Sequence, residues 1–309
     1  MTLLVICQNK KPQPWVDALK KIDSKLDIRI WPDEGEPNDI TFALVWQHPH
    51  GVLQRYPNLK TVSSMGAGVD HILQDPQLPS GLKLVRIIDP GLVDDMFDFL
   101  SMAVASYRHH QHIYFNQQAS SRWSPDAPLK KSALTIGVMG LGQLGEVVAS
   151  RFAAQNFKVV GWSTSEKNIP QVTAFVGESQ QKEFFNRTNI LINLLPLTDA
   201  TRSILNSANL SQLKKPAYLI NVGRGQHLVE DDLRHLLESE KLSGACLDVF
   251  NEEPLPADHW FWRHPQIRIT PHVSSLTQPD RVASQIVQNY QQTFLGLPLL
   301  NQVDLNRGY

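Results

Sequence analysis

The 309-residue sequence predicts an α/β protein of two domains, each a parallel sheet with helices on its faces. Three observations predict it. The chain exceeds the roughly 100–200 residues usual for one domain. Short apolar runs alternate with helical stretches from residue 3, break off near residue 118 and resume at 134. A glycine-rich turn joins the first strand of the second set to its helix.

In the first set, "LLVIC" (3–7) and "TFALVW" (41–46) are apolar runs bounded by turn residues, as buried parallel strands are. "KTVSSM" (60–65) and "KLVRI" (83–87) predict two more strands. Between the first two, "WVDALKKI" sets Trp15, Leu19 and Ile22 at helical spacing and completes a βαβ rhythm. Residues 92–118 lack Gly and Pro and predict one long helix leaving the first domain, with Asp94 and Asp95 near its start, where the helix dipole favours them. This helix carries His109, His110 and His112, which lack the i,i+4 spacing of a metal-binding pair and predict a solvated or partly packed face.

A polar, proline-bearing loop (120–133) precedes the second set. Its strands are predicted at 134–140, 158–162, 190–195, 217–222, 244–250 and 267–270, with a final helix over 278–295. Helical stretches separate most of them, as in an open sheet covered on both sides.

Composition narrows the function classes. The chain is 42% hydrophobic and 19% charged with a formal net charge of −1, a balance that argues for neither a nucleic-acid partner nor an anionic membrane. Cys7 and Cys246 both lie in apolar runs and read as small buried hydrophobes, not as a disulfide or a metal site. The N-terminal apolar run is too short for a signal peptide, and no stretch approaches the ~18 apolar residues of a membrane span. The expectation is a soluble cytoplasmic protein.

"LTIGVMGLGQLGEVVASRF" places Gly140, Gly142 and Gly145 in GxGxxG order between strand and helix. The first glycine permits a tight turn, the second lets the backbone approach a pyrophosphate, and the third lets helix pack on strand. Leu144, Val148 and Phe152 form the apolar stripe of that helix. The next strand ends in "WSTSEKN", where an acid would mark a ribose hydroxyl. Ser163, Thr164 and Ser165, with Lys167 nearby, suit a 2′-phosphate better, which predicts NADPH with NADH possible. Glu166 and the lack of an arginine oppose that reading.

Three strand ends carry candidate chemistry. Arg224 lies between two glycines in "NVGRG", past a buried strand, where it could hold an anion or merely cap a carbonyl. Asp248 is a carboxylate inside an apolar run, which requires a partner. Glu253 precedes Pro254, and His272 follows 19 residues later in "ITPHVSS". A carboxylate on one ring nitrogen would fix the tautomer, leaving the other nitrogen for acid–base work. A His at a strand end taken alone is more often structural.

Together these elements resemble the D-isomer-specific 2-hydroxyacid dehydrogenases over essentially the whole chain, and within them the glyoxylate/hydroxypyruvate reductase A branch. The resemblance rests on "MGAGVD" (65–70), "GLGQLG" (140–145), "LINLLPLT" (191–198), "NVGRG" (221–225), "LDVFNEEPLP" (247–256), "TPHVSSLT" (270–277) and the C-terminal "DLNRGY". It implies a flavodoxin-like substrate domain (1–100 and 278–309) into which an NAD(P)-binding Rossmann domain (101–277) is inserted.

It also implies roles. Arg224 would bind the carboxylate and keto oxygen of a 2-keto acid, His272 would protonate that oxygen, and Glu253 would hold the imidazole charged. The amides of Ala67 and Gly68 and the ring of Trp46 would complete the substrate site. Gln143, Leu144 and Pro196 would join the glycines, Ser163, Thr164 and Lys167 in holding the cofactor, with Asp248 on the nicotinamide carboxamide. No metal is implied, and a homodimer is. One departure is Thr164, where the reductase branch carries arginine. The substrates implied are glyoxylate and hydroxypyruvate. The alternatives are a reductase of bulkier 2-keto acids such as phenylpyruvate, or a non-enzymatic dinucleotide sensor of the same fold.

Overall fold

The computed structural model describes residues 2–8 and 10–304, so "DLNRGY" beyond Asp304 lies outside the described residues. The chain divides into two compact units: the residues up to Leu92 with those from Leu276 onward, and Val93–Ser275. The divisions expected after residues 100 and 277 therefore fall slightly earlier, the first of them inside a helix.

The first unit opens with β1 (Thr2–Cys7), α1 (Gln13–Ile22), β2 (Ile28–Ile30), β3 (Ile40–Trp46), β4 (Thr61–Ser64), the single-turn α2 (Asp70–Leu73) and β5 (Lys83–Val85). Next come α3 (Pro90–Arg108) and α4 (Gln111–Ala119). The second unit continues with β6 (Thr135–Met139), α5 (Gln143–Ala154), β7 (Lys158–Ser163), β8 (Val172–Val176), α6 (Gln181–Arg187) and β9 (Ile190–Asn193). It ends with α7 (Ser207–Leu210), β10 (Tyr218–Asn221), α8 (Glu230–Glu238), β11 (Gly244–Leu247) and β12 (Ile267–Ile269), after which α9 (Pro279–Leu295) returns to the first unit. Among the described residues no helix is long and apolar enough to cross a membrane.

The first sheet is parallel throughout in the order β2-β1-β3-β4-β5, the flavodoxin-like order. Side chains alternate across it. Leu3 and Val5 pack with Trp15, Leu19 and Ile286, while Leu4 and Ile6 pack with Val52, Leu53 and Ile72 on the other face. Both faces are covered, which is why β1 reads as an unbroken apolar run. Each of those four enclosed β1 side chains contributes about 2 kcal/mol by burial.

The second sheet is also parallel, in the order β12-β11-β10-β9-β6-β7-β8, the doubly wound order extended by one strand. Ile190 and Ile192 face Leu100, Val148 and Phe152; Leu191 faces Phe184, Phe185 and Leu233. The order reverses between β6 and β9, and the carboxyl ends of those strands are where such sheets place ligands.

Two expectations fail on local detail. The single helix over 92–118 is two helices, because His110 adopts a left-handed conformation (φ 58°) between α3 and α4. That turn tucks His112 against Tyr107, with ring centroids 5.6 Å apart, and burial pushes its pKa down to about 4. His112 is therefore a neutral, packed residue, while His109 stays exposed and His110 half-buried, as a partly packed face requires. β2 and β8 are not foreseen by the sequence reading: both are edge strands, one only three residues long around Arg29, the other a continuous strand whose apolar run is interrupted by Thr173.

Candidate active site

In the second unit the glycine loop has the geometry that its spacing predicts. Gly140 has φ +97°, and a Cβ there would come within 3.0 Å of the Leu194 carbonyl. A Cβ on Gly145 would sit 1.9 Å from the Gly140 oxygen, so only glycine lets α5 approach β6 this closely. A Cβ on Gly142 would meet nothing within 4 Å, so that face is open where a pyrophosphate would approach. Gln143 and Leu144 begin α5, whose first N–H groups point out of the helix end. These features fit a dinucleotide.

At the end of β7 the hydroxyl of Ser163 donates to the Ser165 carbonyl at 2.7 Å and is buried. Thr164 is exposed, and Lys167 Nζ donates to Glu146 Oε1 at 2.6 Å. The Ser163 hydroxyl is thus turned inward, leaving Thr164, Ser165 and Lys167 as the groups that a cofactor's 2′-substituent could meet.

Arg224 follows β10 by a backbone fixed on three sides. Asn193 and Asn221 occupy equivalent positions at the ends of adjacent strands. Asn193 Nδ2 donates to Asn221 Oδ1 (2.9 Å) and to His227 Nδ1 (2.8 Å); Asn221 Nδ2 donates to the Arg224 carbonyl (3.0 Å). The Arg224 N–H donates to His227 Nδ1 at 3.2 Å. Since Nδ1 accepts twice, Nε2 carries the proton and donates to the Pro196 carbonyl at 3.2 Å. The flanking glycines serve close packing: a Cβ on Gly225 would lie 1.9 Å from the Phe250 carbonyl carbon, and one on Gly223 2.8 Å from Asn193 Nδ2.

Glu253 and His272 meet as the sequence suggests. His272 Nδ1 lies 2.8 Å from Glu253 Oε2, and Glu253 Oε1 accepts the Phe250 N–H at 2.9 Å. Burial pushes the Glu253 carboxyl up. The His272 hydrogen bond and charge, the Phe250 N–H and the charge of Arg224 outweigh it and hold the group below its ordinary value. Arg224, Glu253 and His272 therefore form one electrostatic neighbourhood. His272 sits at φ 55°, an uncommon conformation for a residue with a Cβ.

Asp248 explains how that conformation is held. It is fully buried. Its carboxylate accepts the Thr270 hydroxyl and the Val273 and Ser274 N–H groups (both 2.9 Å), while its carbonyl accepts the His272 N–H (2.9 Å). The nicotinamide contact expected of Asp248 thus finds no exposed oxygen, because the carboxylate is committed to the loop that carries His272.

In the first unit the loop after β4 is organised by Ser64. Its hydroxyl donates to the Gly68 carbonyl (2.7 Å), accepts the Gly66 N–H (3.1 Å) and meets His71 Nε2 (3.1 Å). His71 Nδ1 accepts the Gln47 N–H at 3.2 Å, so Nε2 is the donor to Ser64. Trp46 packs on His71 with centroids 4.9 Å apart, and a Cβ on Gly66 would come within 2.9 Å of the indole. Among the described residues the N–H groups of Ala67 and Gly68 have no acceptor in the protein. Two adjacent amides left open in this way suit a carboxylate.

The sequence reading missed Asn193, Asn221, His227 and Ser64. The paired endings "ILIN" and "YLIN" were a visible signal for the two asparagines. His227 meets Asn193 and the Pro196 carbonyl only through folding, and Ser64 acts on the near backbone of Gly66 and Gly68, where a serine gives no distinctive signal.

Comparison with known proteins now places the chain. Residues 100–274 match the NAD-binding domain of the D-isomer-specific 2-hydroxyacid dehydrogenases. Over 300 residues, 96% of both chains, it is 39% identical to glyoxylate/hydroxypyruvate reductase A of Yersinia enterocolitica. Among solved structures it resembles a D-isomer-specific 2-hydroxyacid dehydrogenase of Xanthobacter autotrophicus in complex with NADPH (TM-score 0.92, 35% identity, 100% of this chain and 99% of that one). It also resembles the NADPH-dependent glyoxylate/hydroxypyruvate reductase of Sinorhizobium meliloti in complex with NADP and sulfate (TM-score 0.91, 32% identity, 100% of both chains). A family match over more than half the chain, together with a relative 39% identical over 96% of it, establishes that this protein belongs to the D-isomer-specific 2-hydroxyacid dehydrogenases.

Proposed function

We propose that the protein reduces small 2-keto acids with NADPH, converting glyoxylate to glycolate and hydroxypyruvate to D-glycerate. The observation that carries this reading is the 2.8 Å pair of His272 and Glu253, with the charge of Arg224 reaching the same carboxylate. The names of the relatives supply the substrates and the cofactor.

When bound, NADPH supplies the hydride to the keto carbon. The glycine-loop amides, Gln143, Leu144, Thr164, Lys167 and Pro196 are the residues proposed to hold it. Arg224 takes the substrate's carboxylate and keto oxygen, and its charge stabilises the negative charge that develops on that oxygen. His272 delivers its Nε2 proton there as the alkoxide forms, and Glu253, kept ionised, supports the protonated ring through Nδ1. Ala67 and Gly68 offer their open amides to the carboxylate, and Trp46 gives the side of the substrate an apolar wall. A homodimer and a cytoplasmic location are part of this proposal and rest on the resemblance.

The test is a purified-enzyme panel of glyoxylate, hydroxypyruvate, pyruvate and phenylpyruvate with NADPH and NADH. It is run on the wild type and on His272→Ala, with dinucleotide binding measured separately. The expected result is turnover of the two small acids that His272→Ala abolishes while binding NADPH normally. Near-normal turnover in the variant refutes the acid role, and binding without turnover in the wild type favours the sensor.

A further inference from the structure

The segment after β7 offers a cofactor's 2′-substituent a mixed reception. Lys167 is its one cation, and its ammonium already donates to Glu146 Oε1 at 2.6 Å. Glu146 stands in the first turn of α5, one residue past the last glycine of the loop, where a helix favours an acid. Both side chains are partly open to solvent, at 30% for Lys167 and 40% for Glu146. Glu166 is exposed on the same segment and has no ion-pair partner among the described residues. Thr164 is exposed, and the Ser163 hydroxyl is turned inward.

A 2′-phosphate and the Glu146 carboxylate require the same ammonium. The phosphate must displace Glu146 or bind beside it against the repulsion of like charges, whereas a ribose hydroxyl needs only a neutral partner such as Thr164. We propose that Glu146 is a specificity-determining residue: it occupies the lysine that would read the 2′-phosphate and so narrows the preference for NADPH over NADH. This rests on the proposed use of Lys167 as the phosphate ligand.

The test uses cofactor fragments, so that binding is read apart from turnover. Affinities for 2′,5′-ADP and 5′-ADP are measured by titration calorimetry on the wild type, Glu146→Gln, Lys167→Gln and the double variant, at low and high salt. Glu146→Gln is expected to raise the 2′,5′-ADP to 5′-ADP affinity ratio about fivefold at low salt, the scale of one partly exposed charge pair, with 5′-ADP binding unchanged. In the double variant the gain should vanish. A ratio unmoved by Glu146→Gln, or a gain that survives loss of Lys167, overturns the proposal. A wild type that favours 2′,5′-ADP while ignoring Lys167→Gln shows that the phosphate is read elsewhere. If wild type and Glu146→Gln both bind the two fragments equally, the NADPH reading itself fails, a result distinct from a phosphate preference that ignores Glu146.

Discussion

His227 Nδ1 accepts the backbone N–H of Arg224 at 3.2 Å while its Nε2 proton is donated to the Pro196 carbonyl at 3.2 Å. One fully buried imidazole thus joins the segment that bears the proposed substrate arginine to the loop proposed to border the cofactor. The neutral Nε2–H tautomer is the form that satisfies all three partners, because Asn193 Nδ2 also donates to Nδ1.

The two ends of that ring can be separated by substitution. An Asn at this position presents an oxygen near Nδ1 and lacks the reach to Pro196, so His227→Asn should weaken dinucleotide binding several-fold with little change in KM for the keto acid. His227→Ala removes the acceptor of one Asn193 side-chain N–H and of the Arg224 backbone N–H. It should lower stability by about 2 kcal/mol in urea unfolding and raise that KM. Equal effects of both variants on both ligands would show that the ring only fills space.

Glu253→Gln keeps a side chain that can hydrogen-bond His272 but removes its charge. Reduction needs the protonated ring, which in this variant lacks its counter-ion. kcat should drop about tenfold to a hundredfold at neutral pH. Stability carries the complementary sign. The carboxyl is held below its usual value of 4.5, so its contribution is complete above that pH and is lost as the pH falls through the depressed value. Urea midpoints for wild type and Glu253→Gln should therefore converge in acid; a constant gap from pH 7 to pH 3 would contradict the linkage.

How much of this was legible beforehand differs between backbone-coded and contact-coded features. Gly140 and Gly145 announce themselves because a chain geometry demands glycine, and the apolar runs of β6, β9 and β10 because burial on two faces demands continuity. Glu253 and His272 were identifiable as chemistry-bearing types at strand ends, although only folding brings Nδ1 to the carboxylate. Asp248 was rightly flagged as needing a partner, but its partners are backbone amides two dozen residues away, which no side-chain pattern encodes. The break at His110 was hidden because nothing in "RHHQH" forbids a continued helix; contacts such as His110 Nε2 to the Ala127 carbonyl (2.9 Å) stabilise the turn instead.

Asp248→Asn follows from that anchoring role. An amide offers one oxygen where the carboxylate now accepts two peptide N–H groups and a hydroxyl, and its NH2 would confront a donor. The loss should be about 2–4 kcal/mol of stability, with disorder centred on 270–275. Hydrogen exchange at Val273 and Ser274 should accelerate, and kcat should fall more than dinucleotide affinity. Unchanged protection at those amides would remove the anchor from the account.

The glycines of the loop should separate in kind. Gly142 has φ −84° and ψ −166°, which any residue can adopt, and a Cβ there meets no atom within 4 Å. Gly142→Ala should therefore fold with stability within about 0.5 kcal/mol of wild type, since nothing in the protein opposes the methyl. The methyl would instead stand in the space where a pyrophosphate must approach the backbone, and NADPH binding should weaken by at least tenfold. Gly145→Ala faces the opposite constraint. Its Cβ would lie 1.9 Å from the Gly140 oxygen, inside any van der Waals contact, so α5 must move away from β6. That variant should lose several kcal/mol of stability before any ligand is added, by the same overpacking that penalises extra volume in a close-packed core, at about 1–3 kcal/mol or more. Thermal melts without cofactor, set beside dinucleotide titrations, distinguish the two. If Gly142→Ala melts early, or Gly145→Ala melts normally, the division of labour between the two glycines is wrong.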